Sequence, residues 1–224
     1  MGIKEKNVKK AAIFDMDGLM FDTERIYQES WMALAAEFGQ VPDPAFPTAV
    51  AGTAGEGMRR VIREHYPDLD PEAFIAACFQ RVREITKTHL PEKPGLRLLL
   101  ELLKARGVRM AVASSSQEDI ILRNLRTAGV EKYFEVVVSS TDPAVKDGKP
   151  APDVFLYAAK RLGVPAEDCW VLEDSLNGIR AAHAAGAAGI MVPDTMEPTE
   201  EIRAICRVFP DLGAVAQAVE AGEI

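Results

Sequence analysis

Residues 96–116 read LRLLLELLKARGVRMAVASSS and contain the two patterns from which the fold is predicted. Leu96 to Ala105 carries apolar residues at helical spacing and is followed by Gly107, which favours a helix that ends there. Val108 to Ala113 is a short apolar run that ends in three serines, as is typical of a strand buried within a sheet. The stretch therefore predicts a helix that leads into a strand of a covered sheet.

The same alternation continues to the C-terminus, and one further strand is predicted near the N-terminus. Helices are predicted over Glu118 to Ala128, Pro152 to Leu162, Asn177 to Ala185 and Ala214 to Ala221, and further strands over Ala11 to Phe14, Val136 to Val138, Cys169 to Leu172 and Gly189 to Val192. Short apolar strands separated by helices indicate βαβ units, and hence an α/β protein with a parallel sheet.

The character of the sequence changes between the first predicted strand and Leu96. Residues 24–90 contain no clear strand pattern, and breaks rich in proline and glycine separate helix-like segments there. These segments are Glu24 to Phe38, Met58 to His65 and Pro71 to His89. We therefore predict a helical domain inserted after the first strand, with the chain returning to the sheet through a linker at His89 to Gly95.

Polar side chains follow four of the predicted strands. In chain order they are Asp15, Asp17, Ser114, Lys149, Glu173 and Asp174. In an open parallel sheet, ligands bind just beyond the carboxyl ends of the strands. We therefore expect these side chains to converge on one edge of the sheet.

This set has the composition of a site for a divalent cation and a phosphate group. Carboxylates suit Mg²⁺, and crowded carboxylates repel one another unless a cation lies between them. An aspartate at a strand end can attack phosphorus, and a second carboxyl group can protonate the leaving oxygen and later deprotonate water. A serine hydroxyl and a lysine ammonium group can stabilise the phosphoryl oxygens as their charge changes.

Each polar cluster also has a purely structural interpretation. These interpretations are a turn at Asp17-Gly18, a capping box of Ser115 and Glu118, a solvated loop at Lys149, and a helix cap at Asp174 or Ser175. For any one cluster the structural alternative stays open. The placement of all of them at strand ends, in this order, favours a functional site.

The composition excludes several classes of protein. A net charge of −8 argues against nucleic acid as the main partner, because surfaces that bind nucleic acid are normally basic. The three cysteines are far apart and show neither a zinc nor a disulfide pattern. The N-terminus does not resemble a signal peptide, and no apolar stretch is long enough to span a membrane. We expect a soluble, cytoplasmic protein, monomeric or weakly dimeric, that acts on a small phosphorylated metabolite.

Four motifs resemble those of the haloacid dehalogenase superfamily, in the branch of beta-phosphoglucomutase and small sugar-phosphate phosphatases. They are FDMDGLMFDTE from Phe14, VASSS from Val112, GKPAPD from Gly148 and LEDSLNGI from Leu172. The resemblance covers almost the whole chain. It implies a Rossmann-like core formed by residues 1–22 and 93–224, with a helical cap domain inserted at residues 23–92.

The resemblance also implies catalytic roles. Asp15 resembles the nucleophile of the family, and Asp17 resembles its general acid and base. Ser114 resembles the serine that binds phosphate, and Lys149 resembles the lysine that offsets charge on the nucleophile and the phosphate.

A metal site is implied in the same way. Glu173 and Asp174 resemble the acidic pair that binds magnesium, and Asp15 is expected to supply a third carboxylate. Asp17 is expected to contribute its backbone carbonyl. Asn177 has two open roles, as support for the metal site or as the cap of its helix.

Substrate contacts are expected from the cap and from the second motif. Thr23, Tyr27 and Ser115 are the candidate substrate-binding residues. Trp31 and the loop from Gly52 to Met58 are further candidates to face the leaving group. Alternatively, Tyr27 and Trp31 lie four residues apart on one helix and pack within the cap.

The motifs favour a hydrolase over a mutase. Beta-phosphoglucomutases carry a histidine at the position of Tyr27 and an arginine near Gly55, and dehalogenases lack the second aspartate that Asp17 provides. We therefore expect a magnesium-dependent phosphatase that hydrolyses sugar phosphates or nucleotide-like monophosphates through an aspartyl-phosphate. The alternatives are a beta-phosphoglucomutase-like phosphotransferase and a binding protein that has lost turnover.

Overall fold

A parallel β-sheet forms the centre of the fold in the computed structural model, which describes residues 9–51, 53 and 55–224. The described strands are Ala11–Phe14 (β1), Arg109–Ser114 (β2), Val136–Ser139 (β3), Cys169–Glu173 (β4), Ala188–Met191 (β5) and Cys206–Val208 (β6). All neighbouring strands are parallel, in the order β3-β2-β1-β4-β5-β6. This order is typical of Rossmann-like folds, and the predicted fold class is confirmed.

Helices connect the strands and cover both faces of the sheet. The described helices are Thr23–Glu37 (α1), Phe46–Val50 (α2), Gly55–His65 (α3), Pro71–Thr86 (α4), Leu96–Ala105 (α5), Glu118–Thr127 (α6), Asp153–Leu162 (α7), Leu176–Ala184 (α8), Glu200–Ile205 (α9) and Leu212–Glu220 (α10). Single 3-10 turns occur at Glu131–Tyr133 and Ala166–Asp168.

Burial on both faces explains why the strands are continuous apolar runs. Every side chain of β1 is fully buried. Ala11 and Ile13 point to one face and belong to the same cluster as Phe155 of α7. Phe14 points to the opposite face, where its ring meets Phe134 edge-on at 5.7 Å. Because neither face meets water, the polar groups that follow the strands are confined to the sheet edge.

Three short elements were not predicted. Strand β6 has three residues, all of them partly or fully exposed, so it lacks the apolar pattern of a covered strand. Helix α9 has six residues and depends on its cap, where Thr199 Oγ1 accepts a hydrogen bond from the Ile202 N–H at 3.3 Å. Helix α2 begins within the segment interpreted as a break, because Pro47 is compatible with the first turn of a helix.

The chain divides into two compact units. One unit extends to Phe21 and resumes over Pro91–Ile224, and the other comprises Asp22–Leu90. The predicted boundaries were after residues 22 and 92. Residues 1–8 of the predicted core, and residues 52 and 54 of the predicted specificity loop, lie outside the described residues.

An aromatic cluster forms the core of the second unit, which contains helices α1 to α4. The Trp31 ring lies 5.1 Å from the Phe74 ring and 5.6 Å from the Phe46 ring, and only 3% of Trp31 is exposed. The Tyr66 hydroxyl accepts a hydrogen bond from the Asp43 N–H at 2.9 Å. Trp31 is therefore a packing residue, and the expectation that it faces the leaving group is wrong.

Gly95 and Gly107 flank helix α5 and provide a test of how closely it packs. Both have a positive φ, of 83° and 69°. A Cβ on Gly95 would lie 1.9 Å from the backbone nitrogen of Gly213 in α10, whereas a Cβ on Gly107 would meet nothing within 4 Å. We expect Gly107→Ala to lower the free energy of unfolding by about 1 kcal/mol, because a residue with a Cβ is disfavoured in the left-handed conformation.

Gly95→Ala should lower the free energy of unfolding by clearly more, because backbone atoms at the start of α10 would also have to move. Urea unfolding of both variants measures the two costs. Equal losses would mean that α5 and α10 can separate without penalty at this point.

Candidate active site

The carboxyl ends of three adjacent strands bring the predicted polar residues together. Asp15 follows β1, Ser114 ends β2 and Glu173 ends β4. Strand β1 lies between the other two, and the Asp15 N–H donates to the Leu172 carbonyl oxygen at 3.0 Å. Because β1 separates the two halves of the sheet, the site lies where the strand order reverses, which is the usual place for a ligand in such folds.

Three carboxylates form a compact acidic cluster. One oxygen from each of Asp15, Glu173 and Asp174 lies within 4.8 Å of the other two. Asp15 and Glu173 are buried and Asp174 is half-buried. Oxygen ligands at this spacing suit a hard divalent cation.

Lys149 is the buried cation of this cluster. Its ammonium group donates a hydrogen bond to Asp15 Oδ1, a second to Glu173 Oε1 at 2.7 Å and a third to the Ala113 carbonyl oxygen at 3.2 Å. The nitrogen also lies 4.9 Å from the centre of the Phe155 ring. Burial disfavours the charge, but the two carboxylates outweigh burial and raise the pKa of Lys149.

Glu173 is held through both of its carboxylate oxygens. Oε1 accepts from Lys149, and Oε2 accepts from the Ser175 N–H at 2.9 Å and from the Ser175 hydroxyl at 2.8 Å. Burial alone would raise the pKa of Glu173, but Lys149 and these hydrogen bonds lower it. Glu173 is therefore ionised and fixed in place.

The pKa values of Asp15 and Asp174 are shifted in the opposite direction, upward. Burial raises the pKa of Asp15 to about 7, assisted by repulsion from Glu173 and Asp17 and opposed by Lys149. Burial also raises the pKa of Asp174, as does repulsion from Glu173 and Asp15. A bound cation would favour the ionised form of both carboxyl groups, because metal ligands bind deprotonated.

Two serines orient Asp17. The Ser116 hydroxyl donates to Asp17 Oδ2 at 2.7 Å, and the Ser114 hydroxyl approaches the same oxygen at 3.4 Å. The Ser116 N–H in turn donates to Ser114 Oγ at 3.0 Å. Ser116 was not among the predicted site residues, and the only signal for it was its place in the serine run after β2.

The capping-box interpretation of the serine run is wrong. Helix α6 begins at Glu118, and its N-cap residue is Gln117, which makes no side-chain capping hydrogen bond. Ser115 is exposed. The serines belong to the turn that brings Ser114 and Ser116 to Asp17, so the proximity of Asp17 determines their placement.

The cap of helix α8 is Ser175, whose hydroxyl oxygen accepts from the Gly178 N–H at 3.0 Å. Asn177 therefore does not cap this helix. Its side chain is exposed, and its amide oxygen accepts from Arg180 at 3.4 Å. The predicted capping role of Asn177 is wrong, and its role as support for the metal site stays a prediction.

The remaining predicted residues fall outside the acidic cluster. The carboxylate of Asp17 is not part of it, and the predicted ligand from Asp17 was the backbone carbonyl. Thr23 and Tyr27 belong to the second unit. There Thr23 is buried at the start of α1, and the Tyr27 ring meets the Phe79 ring edge-on at 6.0 Å.

A Rossmann-like sheet with a buried Asp–Lys–Glu cluster at its reversal point defines an α/β protein built to bind charged ligands at the strand ends. The family model for haloacid dehalogenase-like hydrolases matches residues 9–186. The chain belongs to this family of hydrolases, and the predicted resemblance is confirmed.

Individual relatives share most of the chain. A protein of Drosophila melanogaster named a probable pseudouridine-5'-phosphatase is 37% identical over 89% of this chain and 88% of its own length. A phosphorylated carbohydrates phosphatase of Thermotoga maritima is 33% identical over 79% of this chain and 82% of its own. The crystal structure of a haloacid dehalogenase family hydrolase from Deinococcus radiodurans, with bound phosphate and sodium, is 26% identical, covers 97% of both chains and superposes with a TM-score of 0.81.

Within residues 9–51, 53 and 55–224, none of the helices combines the length and the apolar character needed to cross a bilayer.

Gly178 explains how Glu173 fits beneath helix α8. A Cβ at position 178 would lie 1.9 Å from the carboxyl carbon of Glu173. Alanine normally stabilises a helix by up to about 1 kcal/mol relative to glycine. We expect Gly178→Ala instead to destabilise the protein by about 1–3 kcal/mol, as overpacking does, because the buried carboxylate must move.

Gly57→Ala is the matched control for Gly178→Ala. Gly57 also lies in a helix, α3, but a Cβ there would meet nothing within 4 Å. Thermal melting should show opposite shifts for the two variants. A stabilised Gly178→Ala variant would mean that Glu173 is not confined as described.

Proposed function

We propose that the protein is a magnesium-dependent phosphatase that hydrolyses small phosphate monoesters through a covalent aspartyl-phosphate on Asp15. The observation that carries the proposal is the contact of buried Asp15 with Lys149 inside an acidic cluster, with Asp17 two residues further along. This arrangement combines a nucleophile, a fixed positive charge, a set of metal ligands and a separate carboxyl group for proton transfer.

The acidic residues fit a magnesium ion. Asp15 and Asp174 would be the main side-chain ligands, with Glu173 supporting them and the Asp17 backbone carbonyl completing the protein's contribution. The close approach of the three carboxylates supports this assignment, because an oxygen of each lies within 4.8 Å of the other two. A bound Mg²⁺ would neutralise part of the charge on the phosphoryl oxygens and on these carboxylates.

The reaction proceeds in two displacements. In the first, an Asp15 carboxylate oxygen bonds to phosphorus while the bond between phosphorus and the ester oxygen breaks, and Asp17 gives its proton to the leaving alcohol. In the second, Asp17 takes a proton from water as that water attacks the same phosphorus. The bond to Asp15 breaks, and inorganic phosphate leaves while Asp15 and the proton on Asp17 are restored.

Three neighbouring groups support these steps. Lys149 and the Ser114 hydroxyl would stabilise the phosphoryl oxygens, as charged and neutral hydrogen-bond donors. Ser116 would hold the Asp17 carboxyl group in one orientation, since the two side chains are 2.7 Å apart. Such positioning matters because proton transfer requires hydrogen-bonding distance to the reacting oxygen.

The substrate class is that of small phosphorylated metabolites. The Drosophila and Thermotoga relatives are named for a nucleoside phosphate and for phosphorylated carbohydrates, which supports a sugar-phosphate or nucleotide-like substrate. Thr23, Tyr27 and Ser115 stay the candidate substrate-binding residues. The net charge of −8 does not favour nucleic acid as a substrate.

Asparagine substitutions at the two aspartates test the mechanism. Asp15→Asn should abolish hydrolysis of phosphate esters, because an amide is a poor nucleophile. Asp17→Asn should lower kcat by about 10²- to 10⁴-fold, because it removes general acid–base catalysis. Asp168→Asn, at a half-buried aspartate paired with Lys10 at 2.7 Å, is the matched control and should keep full activity.

The readout is the release of inorganic phosphate from a panel of sugar and nucleoside monophosphates. Near wild-type hydrolysis by Asp15→Asn would exclude the covalent mechanism. If wild-type protein instead converts β-glucose 1-phosphate to glucose 6-phosphate with little free phosphate, in the presence of a trace of the bisphosphate, it is a mutase.

A second prediction concerns the metal. Removal of divalent cations with a chelator should abolish hydrolysis, and added Mg²⁺ should restore it. We expect Glu173→Ala to weaken Mg²⁺ binding about 10-fold, as loss of a group that supports a ligand does. Asp174→Ala should weaken it further, because both oxygens of Glu173 are already hydrogen-bonded to Lys149 and Ser175.

Isothermal titration calorimetry measures the Mg²⁺ affinity of the two variants and so ranks Asp174 against Glu173 as ligands. Equal or reversed losses for the two variants would contradict the assignment of Asp174 as the main ligand. Full activity of the metal-free protein would contradict the metal requirement itself.

A further inference from the structure

Asp194 lies beside the acidic cluster but was not selected from the sequence and takes no part in the proposed mechanism. It follows strand β5, at the same edge of the sheet as Glu173. Its Oδ1 accepts a hydrogen bond from the Lys93 ammonium group at 2.6 Å, and both side chains are largely buried, with 12% and 17% exposed. The carboxylate is therefore anchored through one oxygen.

The other oxygen of Asp194 has no hydrogen-bond partner among the described residues. Oδ2 is inaccessible and receives no hydrogen bond from any described residue. A buried carboxylate oxygen without a donor is unfavourable, because the hydrogen bonds it would make with water are lost on folding. Lys93 satisfies only the first oxygen, so the ion pair by itself does not account for this arrangement.

Gly18 connects Asp194 to the metal site. A Cβ built on Gly18 would lie 2.4 Å from Asp174 Oδ2 and 3.3 Å from Asp194 Oδ2. Gly18 has a φ of 82° and no side chain, so the two carboxylate oxygens border one small space above its backbone. Asp194 Oδ2 therefore faces the same space as the predicted main ligand, Asp174.

The local charge is unbalanced without a cation. Asp15, Glu173, Asp174 and Asp194 are four carboxylates, while Lys93 and Lys149 are two ammonium groups that pair with three of them. When Asp17 carries the proton that it gives to the leaving alcohol and these six groups are charged, two negative charges are left over, which a divalent cation would match. Mg²⁺ held by few carboxylates also keeps several waters, and these waters need hydrogen-bond acceptors.

We propose that Asp194 is a positioning residue of the magnesium site and that its Oδ2 accepts a hydrogen bond from the hydration shell of the cation next to Asp174. Lys93 pairs with Oδ1 and leaves Oδ2 available. The inference rests on the proposed function, since it requires that the acidic cluster binds Mg²⁺. The competing interpretation is that Asp194 and Lys93 form only a structural ion pair.

The two interpretations differ in the effect of removing Lys93. If Asp194 acts on the cation, Asp194→Asn should weaken Mg²⁺ binding about 10-fold, as loss of a group outside the direct ligands does. Lys93→Met should leave binding unchanged or tighten it, because it removes a positive charge and keeps the acceptor. If the pair is only structural, both variants should weaken binding alike.

The experiment is isothermal titration calorimetry of the metal-free full-length chain with Mg²⁺, which needs no turnover. Asp168→Asn is the control for the loss of one negative charge far from the cluster and should bind as wild type does. Each single variant leaves one buried charge without its partner, which can destabilise the fold. The double variant Lys93→Met/Asp194→Asn removes both charges and therefore provides a second test if a single variant misfolds. Compared with Lys93→Met, it should again bind about 10-fold more weakly.

Three results are decisive. Weaker binding by Asp194→Asn together with retained or tighter binding by Lys93→Met supports the proposal. Unchanged Mg²⁺ binding by both variants that lack Asp194 overturns the proposal. Equal losses for Asp194→Asn and Lys93→Met also overturn it. In both cases the metal site itself is not contradicted. Absence of saturable Mg²⁺ binding by the wild-type chain overturns the proposed metal dependence and this inference together.

Discussion

The buried ammonium group of Lys149 is the constraint on which the site depends. It contacts two buried carboxylates that would otherwise repel each other. Taking one partner from a buried ion pair leaves an uncompensated charge, which is strongly destabilising. The loop after β3 must therefore reach across the ends of β2 and β1, and the sheet order that places β1 beside β4 makes this contact geometrically feasible.

The carboxylates of this site are not equally compensated by positive charge. Lys149 compensates Asp15 and Glu173, but no buried lysine pairs with Asp174 among the described residues. Burial raises the pKa of Asp174, and repulsion from Glu173 and Asp15 adds to the shift. A ligand that binds only the folded state stabilises it by mass action, so a cation bound at this cluster would also stabilise the fold.

The sequence was sufficient to predict most of the sheet and the edge at which the polar residues meet. Buried strands such as Ala11–Phe14 are recognisable because burial on both faces requires an unbroken apolar run. Strand β6 escaped prediction because three partly exposed residues carry no such signal. The tertiary fold, rather than any local pattern, determines whether elements of this length form.

Residues whose contact partner is distant in the sequence could not be predicted from the spacing of residues along the chain. Ser116 contacts Asp17 across 99 positions of sequence, and Lys93 contacts Asp194 across 101. In each case both residues have ordinary local roles, as a serine in a turn or a charge on a loop. Their significance follows from a carboxylate oxygen brought close by the sheet, and only coordinates carry that information.

The fit between Glu173 and Gly178 also limits how this sequence can change during evolution. The carboxylate of Glu173 occupies the volume that a side chain at position 178 would need, so the two positions are not free to vary independently. A shorter acid at position 173 would create room for a methyl group at position 178, whereas the reverse order passes through a clash. Lineages that diverge at these positions should therefore have shortened the acid before they replaced the glycine.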